Sequence, residues 1–208
     1  MKLCFGENVV SQEGTRLGAL IRVRLARESR EVVGIVVDQS DQLPVRTFIP
    51  VDMIEGETNQ QLTLLISTQE AKQIATSQPG PTPLVEETAV GPSAPVPGTP
   101  ETGGVPAVAH HQLDLTDQVA AHCVDGVTGR LSCLLTDPYT NAITSVLFKG
   151  IQGTDKTVEV PATWVVDINE TVIGLSCTKD QLLNLPEPAP GFYIPVEGPE
   201  GPEERAQG

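Results

Sequence analysis

An all-β protein made of two copies of one small barrel unit is the fold class this sequence predicts. Three observations carry it: residues recur at a spacing of 111, turn chemistry separates short aliphatic runs, and a proline-rich stretch divides the chain. Each unit is expected to end in a short helix.

The repeat is the strongest signal. At an offset of 111, Gly18 falls on Gly129, Ile35 on Val146, Val36 on Leu147, Val37 on Phe148, Pro50 on Pro161, Met53 on Trp164 and Ile54 on Val165. Toward the ends the register drifts by one: Glu13-Gly14 answers Asp125-Gly126 at 112, and Thr68 answers Thr178 at 110. Single-residue slips in loops are what a diverged duplication leaves.

In the first unit the strand from Ala19 to Ala26 places Ile21, Val23 and Leu25 on one face and Arg22 and Arg24 on the other. In the second, strands are expected over Gln118 to Val124, Arg130 to Thr136, Ala142 to Phe148, Thr157 to Pro161, Ala162 to Ile168 and Thr171 to Cys177. Asp125-Gly126 and Asp137-Pro138-Tyr139-Thr140-Asn141 punctuate them, because Gly and Asn tolerate positive φ and Pro presets a turn. Each unit closes on a helix-start signature, Ser67-Thr68-Gln69-Glu70 and Thr178-Lys179-Asp180-Gln181. Trp164 is expected in the core.

Eight of the 18 prolines lie between 77 and 112 with almost no large apolar side chain, so this stretch cannot offset its ordering entropy and reads as a disordered tether. The expected organisation is unit 1 over 1–76, linker over 77–111, unit 2 over 112–186 and an acidic Pro/Gly-rich tail over 187–208. The two units are expected to curl up separately.

Of the net charge of −14, residues 113–185 carry four basic against nine acidic groups. Phosphate affinity comes largely from Lys and Arg, so direct nucleic-acid binding is disfavoured. There is no signal-peptide pattern and no run of about 18 apolar residues, which gives the expectation of a cytoplasmic protein touching a membrane only peripherally. Cys4, Cys123, Cys133 and Cys177 show no CxxC spacing and are read as neither a disulfide framework nor a zinc site.

Val124-Asp125-Gly126-Val127-Thr128-Gly129-Arg130-Leu131, then Leu134-Leu135-Thr136-Asp137-Pro138, Ile143-Thr144-Ser145-Val146-Leu147 and Val158-Glu159-Val160-Pro161-Ala162-Thr163-Trp164-Val165 resemble the PRC-barrel superfamily. Glu13-Gly14, Gly18, Val33-Gly34-Ile35-Val36-Val37 and Ile49-Pro50-Val51-Asp52-Met53-Ile54 look like a weaker copy. The resemblance implies two PRC-type barrels in tandem. It also implies action by docking to other macromolecules, as in the photosynthetic reaction-centre H subunit, a ribosome-maturation factor and small prokaryotic adaptors.

Arg22 and Arg24, with Arg16, Arg27 and Arg30 nearby, form an outward basic stripe, either a receptor for an acidic partner or anionic headgroups or a solvated face that blocks edge pairing. Phe192, Tyr193 and Ile194, followed by Pro195-Val196, make an apolar island in the tail suited to docking on a sheet edge, in a partner or on the chain itself. His110, His111, His122 and Cys123 are the metal alternative; a buried inert thiol at Cys123 is the plainer reading. No GxSxG, P-loop, HExxH or GxGxxG occurs, and Glu86-Glu87 and Glu203-Glu204 lie where nothing preorganises them. The expectation is a non-catalytic adaptor or scaffold without cofactor or metal, binding protein partners and open to homo-oligomerisation. The alternatives are a ribonucleoprotein assembly factor and a peripheral subunit of a photosynthetic electron-transfer complex.

Overall fold

The computed structural model describes residues 1–43, 45–58, 61–77 and 112–188. The linker segment 78–111, the histidines at 110 and 111 and the pentapeptide from Phe192 lie outside them.

Among the described residues the protein is all-β with two short α-helices. In chain order the first repeat contributes β1 (Lys2–Cys4), β2 (Asn8–Val10), β3 (Arg16–Ala26), β4 (Val32–Val37), β5 (Thr47–Pro50), β6 (Ile54–Thr58), β7 (Gln61–Leu64) and α1 (Thr68–Ser77). The second contributes β8 (Gln112–Leu115), β9 (Ala120–Cys123), β10 (Gly126–Thr136), β11 (Ile143–Lys149), β12 (Thr157–Pro161), β13 (Val165–Ile168), β14 (Val172–Leu175) and α2 (Lys179–Leu183). They build two seven-stranded sheets of matching order, β5-β4-β3-β2-β7-β6 and β12-β11-β10-β9-β14-β13.

The seventh strand of each sheet comes from the other repeat. β8 lies antiparallel on the second half of β3, Leu115 opposite Val23 and Asp114 opposite Arg24. β1 lies antiparallel on the second half of β10, Leu3 opposite Leu134 and Cys4 opposite Cys133. These pairings correspond when the first strands are aligned at the offset of 112 already seen at Glu13-Gly14. The expectation of two separately folded units is therefore corrected: one hydrophobic core runs through both repeats and includes Leu3, Leu20, Val23, Leu115, Leu131, Leu134 and Val146.

The exchange has a local cause. Continuing straight from β2, β1 would pair with the second half of its own β3. Instead the chain turns at Cys4-Phe5-Gly6-Glu7, where Gly6 takes φ +82 and the Glu7 N–H donates to the Cys4 carbonyl at 3.2 Å. In the second repeat the Val119 N–H donates to the Thr116 carbonyl at the same 3.2 Å, again 112 residues on. Both turns send the first strand across to the neighbour.

A second contact lies on the axis relating the repeats. Glu31 and Ala142, equivalent residues 111 apart, form an antiparallel bridge. Arg30 and Asn141, likewise equivalent, both have φ 58. An antiparallel bridge between equivalent positions is what a local two-fold produces.

The long strands slip register at matching points, β3 between Leu20 and Arg22 and β10 between Leu131 and Cys133. This bulge corrects the predicted strand face: Leu20, Val23 and Leu25 are fully buried, and Ile21 is only half-buried. Trp164 is half-buried against the core. Both helix starts are as expected: Ser67 and Glu70 exchange bonds of 2.8 and 3.3 Å, and Thr178 and Gln181 form a capping box. Glu13 and Asp125 add matching bonds of 3.0 Å to the N–H groups of Thr68 and Lys179.

Candidate functional site at the strand-exchange seams

The two seams where strands cross between repeats hold most of the unusual chemistry. At the first, Cys4 and Cys133 form a disulfide with a Cα–Cα distance of 4.1 Å and a sequence separation of 129. Leu3 and Leu134 belong to the core, so by strand alternation the disulfide lies on the opposite face. Cys4 is half-buried and Cys133 fully buried. The buried Ser132 hydroxyl lies 3.8 Å from Cys133 Sγ, and it donates there because a disulfide sulfur carries no hydrogen. This corrects the reading of the cysteines as no disulfide framework. The two residues sit in different repeats, and only the exchange brings them together.

Glu7 occupies the turn next to this bond. Its counterpart at the offset of 112 is Val119, fully buried, so a carboxyl stands at an apolar position. Burial, and then the charge of Glu57, push its pKa up to about 7, against the opposing effects of the Cys4 N–H and Lys2. Lys2 pairs with Glu57 at 3.4 Å. A folded pKa raised above the unfolded value means that stability is full below about pH 4.5, is lost as pH rises through about 7, and is flat beyond. Glu7→Gln is expected to stabilise the protein by about 1–3 kcal/mol at pH 8 and to change little at pH 4. Urea unfolding at both pH values measures this, and equal effects at both would disprove it.

At the second seam Arg24 grips Asp114 on the exchanged β8 through two hydrogen bonds, Nε to Oδ1 at 2.7 Å and Nη2 to Oδ2 at 3.0 Å. The Arg24 hydrogen bonds hold the Asp114 carboxyl below its usual range. Arg22 approaches the same carboxylate at 3.7 Å, its side chain 42% exposed. The Arg24 guanidinium also stacks over Phe48, 4.9 Å from the ring centre. A Cβ on Gly34 would meet the Phe48 ring at 2.5 Å, so the glycine lets this aromatic lie flat on the sheet. Arg30 donates to the backbone carbonyls of Val165 and Val166 at 3.0 and 2.7 Å, tying the repeats together.

Of the predicted stripe, Arg16 and Arg27 are exposed, whereas Arg22 and Arg24 are half-buried beside Asp114 and the half-buried Arg30 binds the second repeat. Phe192, Tyr193 and Ile194 fall outside the described residues. Among the described residues no three His, Cys, Asp or Glu side chains converge as a metal site. His122 is exposed, whereas Cys123 and Cys177 are buried thiols. Burial pushes the Cys123 thiol up to about 12. No helix among the described residues is long and apolar enough to cross a membrane.

The site residues the sequence reading missed are Cys4, Cys133, Glu7 and Asp114. Glu7 had a signal, since the offset of 112 sets it against Val119. No protein-family model matches the chain, and no curated protein matches it.

Proposed function

We propose that the protein is a non-catalytic adaptor whose repeats form PRC-type barrels in tandem, joined by a proline-rich linker, and which docks to another protein. One observation carries the reading: Tyr139 is 92% exposed at the tip of an ordered turn. Asp137 Oδ1 fixes that turn by accepting from the N–H groups of Tyr139 and Thr140 at 2.8 and 2.9 Å. A large aromatic held in water by a preformed turn loses little entropy on docking. The same turn carries Asn141, whose carbonyl accepts from Val32 N–H across the repeats at 2.9 Å. Val166, 63% exposed, lies on β13 where Arg30 grips the backbone. Arg22 and the apolar Phe192-Tyr193-Ile194 are further protein-binding elements of this reading.

The test is a double substitution, Tyr139→Ser with Val166→Ser, which leaves core and seams untouched. Affinity purification at native expression, with partners identified by mass spectrometry, should show a defined partner lost by at least about tenfold. A partner set unchanged by the double variant would remove this face from the proposal. Wild-type protein that enriches no partner over a tag-only control would sink the adaptor reading.

A further inference from the structure

We propose that Cys4–Cys133 is a thiol-exchangeable latch that a small-molecule thiol such as glutathione opens, freeing β1 from β10 while the β8 seam stays closed.

The two seams are built alike and fastened differently. Aligned at 112 for the first strand and 111 for the long strand, Cys4 and Cys133 correspond to Thr116 and Arg22. The second seam has neither a disulfide nor a ladder pair at these positions and is held by four other ladder pairs and the ion pair. The exchanged architecture therefore does not require the covalent bond where it occurs. β1 is also the shorter donated strand, three residues against four in β8. Without the disulfide it is held by its ladder and the flanking backbone bonds of Met1 with Thr136 and of Phe5 with Ser132, by Leu3 with the partly buried Met1 and Phe5, and by Lys2–Glu57.

The chemistry favours attack at one sulfur. Cys4 is half-buried, so an incoming thiolate reaches its Sγ, forms a mixed disulfide there and expels the Cys133 thiolate. That leaving sulfur takes up the proton the attacking thiol gave away, and the Ser132 hydroxyl is placed to hydrogen-bond it meanwhile. A second thiolate attacks the external sulfur of the mixed disulfide and expels the Cys4 thiolate, which is protonated in turn. The net change is one protein disulfide and two thiols to two protein thiols and one external disulfide. Cys123 and Cys177 are buried, with thiols raised in pKa, and so compete poorly for the bond.

The experiment uses the full chain equilibrated in reduced and oxidised glutathione, quenched by alkylation for intact mass and followed in parallel by amide hydrogen exchange. In the reducing buffer, amides of residues 2–5 and 133–136 should exchange at least about tenfold faster over and above any acceleration common to the whole core, while those of 23–26 and 112–115 should change by no more than that common factor. A Cys133→Ser chain in oxidised glutathione should carry the adduct on Cys4. Three results would overturn the latch: no Cys4–Cys133 bond in the oxidising buffer, equal loosening of both seams or of neither, or an adduct on Cys123 or Cys177 in place of Cys4.

Discussion

Replacing Leu115 with alanine is expected to destabilise the protein by about 3–5 kcal/mol, with the lost contacts lying in the first repeat although the residue belongs to the second. Leu115 is fully buried on β8, opposite Val23. Its side chain enters a sheet to which its own repeat otherwise contributes nothing, so neighbours on two repeats would have to shift to close the cavity. Because one core runs through both repeats, unfolding should remain a single transition, and Trp164 fluorescence in the second repeat should report the loss. Val127→Ala, at a position 55% exposed, should stay within about 0.5 kcal/mol. Urea titration of both variants decides the matter; a Leu115→Ala cost below about 1 kcal/mol, or two separate transitions, would contradict the shared core.

The repeat itself was legible because it is carried by residues with backbone roles. Gly18 and Gly129 stand where a Cβ would meet the Asp38 carbonyl oxygen or the Ile151 side chain at 2.5 Å, so both copies kept glycine. The capping boxes and the Asp137 turn are local chemistry, read from four or five adjacent residues. Strand exchange is different in kind. β1 and β8 are three and four residues long, and the same side-chain alternation fits either long strand, their own or the other repeat's. Choice of partner depends on the path through the turn at Gly6 and on packing across the repeats, neither of which leaves a periodic trace. The Cys4–Cys133 pair and the Arg24–Asp114 grip were hidden for the same reason, since each joins residues far apart in sequence. The bulge at Ile21 shifted a strand's phase by one residue, which no alternation pattern records.

Breaking the covalent seam is the other large effect. Cys4→Ser, or reduction of the wild-type chain, is expected to lower global stability by about 3–5 kcal/mol, because the bond closes a loop with a sequence separation of 129 and loop-closure entropy grows with length. Urea unfolding with and without reductant measures it: wild type should shift and Cys4→Ser should not. A double cycle with Leu3→Ala should be non-additive, since both residues act through β1. The ionic seam behaves otherwise. Asp114→Asn is expected to cost only about 1–2 kcal/mol at pH 7. With the carboxyl held below its usual range, that contribution is present above the unfolded pKa and disappears as pH falls through the folded one. Acid therefore weakens the attachment of β8 and leaves the disulfide intact, whereas reductant cuts the attachment of β1 and leaves the ion pair intact. The two crossings respond to different solution variables because one is fastened by a redox bond and the other by charge.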